Sequence, residues 1–93
     1  MASALDQVVS IPDVVLFQEV AGQAVLLNLQ TERYFGLNEV ATRALQLLQQ
    51  DGHLAAAFET LAREYDVAPE RLMQDLLTLV RDLEAAGLVV SER

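Results

Sequence analysis

The sequence predicts an α+β domain in which a three-stranded antiparallel sheet precedes three helices. Three observations carry that expectation. Apolar residues alternate with period two from Val25 to Leu29, and a second short run, Arg33-Tyr34-Phe35-Gly36-Leu37, returns after the polar break Gln30-Thr31-Glu32. From Asn38 onward the apolar spacing switches to three and four, the period of amphipathic helices. A hydrophobic content of 53% over 93 residues suffices for one small core.

Residues 1–11 read as a flexible lead-in and 12–93 as the single domain, with Pro12-Asp13 marking entry into ordered structure. Val14 to Val20 is the first strand, closed by a tight turn at Ala21-Gly22. Its parity is open, because Val14, Val15, Leu16 and Phe17 place apolar groups on both faces. In the second strand Val25, Leu27 and Leu29 are assigned to the buried face. The third strand, Arg33 to Leu37, is a candidate sheet edge, whose unpaired backbone must be covered, blunted or used. A sheet this small needs a covering layer.

Asn38 offers a side-chain oxygen to cap the first helix, about 39–49, with Val40, Ala44, Leu47 and Leu48 on one face. Asp51-Gly52 ends it. The second helix spans about 54–65, with Leu54, Phe58, Leu61 and Ala62 inward. Pro69 suits the first turn of a third helix, about 69–86, which Gly87 stops. Leu88-Val89-Val90 is a candidate final extended piece. The third helix has two apolar stripes, Leu72-Leu76-Leu79-Leu83 and Met73-Leu77-Val80, set roughly 100° apart. The second stripe is either extra core or the wall of a groove beside the edge strand.

Little catalytic chemistry is available. The chain has no cysteine, hence no disulfide or thiolate metal site, and its only histidine, His53, falls in a connection. No phosphate-binding glycine loop or serine elbow occurs, so neither an enzyme nor a cofactor is expected. The start of the chain lacks a signal-peptide pattern, and no apolar run approaches the roughly 20 residues of a membrane span, which suits a cytoplasmic protein. Three helices with a small sheet also describe a winged helix, whose usual work is DNA binding. A recognition helix there would be the third, and its two arginines are outnumbered by four carboxylates in a chain of net charge −8. Nucleic acid is therefore an unsuitable partner, although a winged-helix DNA-binding or regulatory scaffold protein remains the alternative reading.

The segments Leu26-Leu27-Asn28-Leu29, Arg33-Tyr34-Phe35, Leu37-Asn38-Glu39 and Ala86-Gly87-Leu88, in that order and spacing, closely resemble the pyrroloquinoline-quinone peptide chaperone (PqqD-like) family and its relatives in lasso-peptide synthesis. The resemblance covers residues 14–90. Glu32 departs from it, standing where relatives often carry glycine, which leaves the turn type open. The resemblance implies a winged-helix-like recognition element that binds the leader of a ribosomally made precursor peptide by strand addition. It implies an edge of Arg33, Tyr34, Phe35 and Gly36 and a wall of Met73, Leu76, Leu77 and Val80. Ordinary core is the competing role for Phe35, which shares parity with Leu37. The implied enzyme partner is a separate leader-cleaving cysteine protease in the lasso case, towards which Arg33-Tyr34-Phe35 leans, or a radical-SAM enzyme in the quinone case. A dimer through the open edge strand is a further expectation.

Overall fold

In the computed structural model, which describes residues 5–92, two strands run Val15–Val20 (β2) and Gln23–Asn28 (β3) and turn on Ala21 and Gly22. Both turn residues lie at positive φ, 54° and 81°, as a two-residue hairpin loop matching the twist of its strands requires. Alanine is a poor occupant of that conformation. Ala21→Asn is therefore expected to raise stability by up to about 1 kcal/mol, read as a higher melting temperature. A lower one would mean that the turn is built differently.

Tyr34–Leu37 (β4) pairs antiparallel with β3 and completes the three-stranded meander. Asn38 Oδ1 then accepts the Ala41 N–H at 2.8 Å, capping Glu39–Asp51 (α1) as the sequence suggests. Leu54–Glu64 (α2) and Pro69–Ala85 (α3) follow, with Pro69 in the first turn of α3. Leu26, Leu45, Leu54, Leu61, Leu72, Leu83 and Leu88 form the fully buried centre between sheet and helices. Arg43 on α1 donates twice to the Glu64 carboxylate on α2, at 2.9 and 2.8 Å. Those hydrogen bonds hold the Glu64 carboxyl below its usual range, against a smaller opposing effect of desolvation.

Two expectations are corrected. The stretch 1–11 is not, in its described part, a flexible lead-in: Val8–Ser10 (β1) pairs antiparallel with Val90–Glu92 (β5), and Leu5 and Val9 are buried. The Val9 N–H also donates to the Gly52 carbonyl at 2.7 Å. That approach requires glycine, because a Cβ at position 52 would sit 2.7 Å from the Val9 oxygen. The second correction concerns β3, whose parity is the reverse of the one expected. Ala24, Leu26 and Asn28 face the core, Val25 and Leu29 are exposed, and Leu27 is half-buried. Both alternating sets are apolar, and the buried one includes a small residue and an amide, so hydropathy selects the wrong face.

Candidate functional site

β4 is an edge strand, since the sheet order is β2-β3-β4. The Asn28 N–H donates to the Arg33 carbonyl at 2.8 Å, which fixes the phase of the ladder. Antiparallel pairs alternate between bonded and non-bonded, so Phe35 and Leu37 turn their main chain to β3. Tyr34 and Gly36 turn theirs outward. Side chains follow the complementary pattern. Tyr34, 73% exposed, and Gly36 lie on the outer face, whereas Phe35 is half-buried opposite Leu26 and Leu37 is buried. Arg33 is exposed and stands just before the strand.

A concavity of about 360 Å³ adjoins the end of this edge, lined by Asn38, Val40, Ala41, Val67, Leu72, Asp75, Leu76 and Leu79. Two roomier surface concavities, of about 600 and 630 Å³, lie against residues 8–15 and on the outer sheet face. The smaller one is distinguished by apolar walls from two helices, α1 and α3, meeting at Asn38 just after the edge strand.

Of the four α3 residues expected as wall, only Leu76 borders this concavity. Val80 is in the core at 3% exposure. Met73 and Leu77, like Leu79, are half-buried and pack against the core, but they do not border the concavity. At roughly 100° per residue they lie on one side of the Leu76 direction, and Asp75 and Leu79 lie on the other. This concavity is thus bordered by the opposite flank of α3. Both flanks are apolar, and Leu79 belongs to the stripe that spacing alone places in the core. Asp75, paired loosely with Arg71 at 3.9 Å, adds one carboxylate to the wall.

Asn28 fixes the other end of the edge. Its Oδ1 accepts the N–H groups of Gln30 and Thr31 at 2.9 and 3.0 Å, folding the β3–β4 turn. Its Nδ2 donates to the Gly87 carbonyl at 3.0 Å, just beyond α3. One buried side chain therefore ties the hairpin that carries β4 to the end of the helix facing it. Within this turn Glu32 takes φ 63°, the left-handed conformation in which glycine would be unstrained.

Among the described residues no group of three or more His, Asp or Glu side chains could hold a metal ion, and no helix is long and apolar enough to cross a membrane. His53 is exposed at the start of α2, without a side-chain cap bond.

Residues 23–89 match the family of coenzyme PQQ synthesis protein D (PqqD). No curated protein sequence matches the chain. Two solved structures share its fold closely. The first, TbiB1 in complex with the TbiA(beta) leader peptide, is 32% identical with a TM-score of 0.79, over 85% of this chain and 92% of that one. The second, a lasso peptide synthetase B1 complexed with the leader peptide, is 25% identical with a TM-score of 0.78, over 88% of this chain and 96% of that one. With the sheet, the helices and the matched segment in agreement, this chain belongs to the PqqD family, in the form shared with lasso peptide synthetase B1.

Proposed function

We propose that the protein is a non-catalytic recognition module that captures the leader of a ribosomally synthesised precursor peptide as a strand added to β4. The observation that carries this reading is the outward main chain of Tyr34 and Gly36 on an edge strand whose end, at Asn38, meets the concavity of Val40, Leu76 and Leu79. Main-chain bonds to the edge supply affinity, and pockets for alternate side chains supply specificity. Inward-pointing leader side chains enter the concavity; outward ones lie beside Tyr34 and over Gly36, which has no side chain to obstruct them. The bound leader is then presented to a separate processing enzyme. A leader-cleaving cysteine protease is favoured over a radical-SAM enzyme, because both similar structures hold leader peptides and one of them is a lasso peptide synthetase B1.

The phase of β4 gives a selective test. Proline at Tyr34 removes an outward donor and leaves the β3–β4 bonds in place, whereas proline at Phe35 removes a ladder bond. Tyr34→Pro is expected to remain folded and to bind a synthetic cognate leader at least about tenfold more weakly, the equivalent of one or two lost hydrogen bonds. Unchanged affinity in the folded variant would rule out strand addition at this edge.

The DNA-binding alternative meets an electrostatic obstacle. Arg71 and Arg81 on α3 are exposed together with Glu70, Asp75, Asp82 and Glu84. No duplex binding tighter than about 100 μM is expected even at low salt, where phosphate attraction is strongest. A sub-micromolar, sequence-selective shift would overturn the recognition reading.

A further inference from the structure

The opposite edge of the same sheet is also open. β2 is six residues long, pairs continuously with β3 and carries no proline, lysine or bulge to blunt it. The Leu29 N–H donates to the Val14 carbonyl at 2.8 Å, so Leu16, Gln18 and Val20 bond to β3 by the same alternation. The main chains of Val15, Phe17 and Glu19 point outward. The Val15 N–H is already taken by the Pro12 carbonyl at 2.9 Å, which leaves the donors of Phe17 and Glu19.

The face beside this edge is unusual for such an acidic chain. Across the three strands the outer face presents Leu16, Gln18, Val20, Gln23, Val25, Leu27, Tyr34 and Gly36. None is charged, although the chain has 14 acidic and 6 basic side chains. Solvent faces of antiparallel sheets are ordinarily polar, and exposed apolar patches mark contacts. At the edge itself, Leu16 is 39% and Val20 74% exposed.

From these features we propose that β2 pairs with β2 of a second copy across a two-fold axis at Gln18. A chain of net charge −8 repels its own kind, so self-association needs an uncharged line of contact. Register decides where that line falls. An axis at Glu19 sets two carboxylates face to face. An axis at Phe17 sets Glu19 against the partner's Val15, whose donor is spent. With the axis at Gln18, Phe17 and Glu19 exchange main-chain bonds with the partner's Glu19 and the partner's Phe17. On the outer face Leu16 meets the partner's Val20, Gln18 meets its own copy, and Val20 meets the partner's Leu16. Every opposed pair on that face is apolar or amide, the self-complementarity that a two-fold interface requires. Glu19 itself is occupied on the inner face by a hydrogen bond from Gln46 of its own α1. The product is a continuous six-stranded sheet with β4 free at both ends. This pairing does not rest on the leader-binding reading.

A chain without cysteine offers a direct test. In a non-bonded antiparallel pair the Cβ atoms are about 4.5–5.5 Å apart, close to disulfide range. Gln18→Cys should therefore crosslink to itself with oxidised glutathione as oxidant, at least about tenfold faster than Val25→Cys, which is exposed on the same face but away from the axis. Wild-type chain should sediment as a concentration-dependent dimer at about 0.5 mM, a range that reveals weak interfaces, and Gln18→Lys should sediment as a monomer with unchanged melting. Equal crosslinking of the two cysteine variants, a monomeric wild type, or a dimeric folded Gln18→Lys would each overturn the proposal.

Discussion

Leu79→Asp is expected to weaken leader binding at least tenfold while leaving the fold in place. Leu79 is half-buried and lines the concavity that begins at Asn38, together with the buried Leu76. Burying a leucine-sized side chain is worth roughly 1.5–3 kcal/mol, which corresponds to about ten- to a hundredfold in affinity. A carboxylate there loses that contact and adds to the charge already set by Asp75. The matched control is Leu77→Asp at the equally half-buried position on the other flank of α3, whose affinity for the leader should stay within about twofold of wild type in the folded fraction, since Leu77 does not border the concavity. Melting curves recorded beside both titrations separate binding from stability. Should Leu77→Asp abolish binding while Leu79→Asp spares it, the groove lies on the flank that the sequence alone suggested.

The second large effect is expected at Asn28, where one amide makes three hydrogen bonds from a position 6% exposed. Asn28→Leu removes all three, and at roughly 0.5–1.5 kcal/mol each the loss is about 2–4 kcal/mol. For a domain of this size that lowers the melting temperature by about 8–30 °C. Asn28→Asp keeps the acceptor for Gln30 and Thr31 but replaces the donor to Gly87 with an oxygen facing a carbonyl. It should fold its turn yet bind leader more weakly, because β4 is no longer held at a set distance from α3. A wild-type melting temperature in Asn28→Leu would show that the bridge does not hold hairpin and helix together.

These two positions also show where the sequence is legible. The helices begin and end where Asn38, Gly52, Pro69 and Gly87 place them, because caps and breakers act locally and carry their own geometry. The hairpin at Ala21-Gly22 is legible for the same reason. The edge strand follows from element order, since the last strand of a three-stranded meander has one neighbour. Facing is harder. Alternation fails as a guide in β3 because Val25 and Leu27 are as apolar as Leu26, and the inner set includes Asn28, whose amide is buried through a bond to the distant Gly87 carbonyl that hydropathy does not register. The same ambiguity arises on α3, where Met73 and Leu77 mirror Leu79 about the buried stripe and spacing does not say which flank borders the concavity. β1 is illegible from local pattern altogether, since three residues at 8–10 acquire strand geometry from distant partners, at 90–92 and at 52–53.

That last pairing has a consequence for the order in which the chain assembles. The two-residue hairpin and the helical turns close over short stretches, which are fast to find. Joining Val8 to Glu92 instead requires almost the whole chain to come full circle, with a correspondingly larger loss of loop entropy. The clasp is thus expected to form late and, in the folded protein, to open first, with amides of residues 8–10 and 90–92 exchanging with solvent sooner than that of the fully buried Leu26. In time as in space, the edge and its groove are assembled before the chain closes on itself.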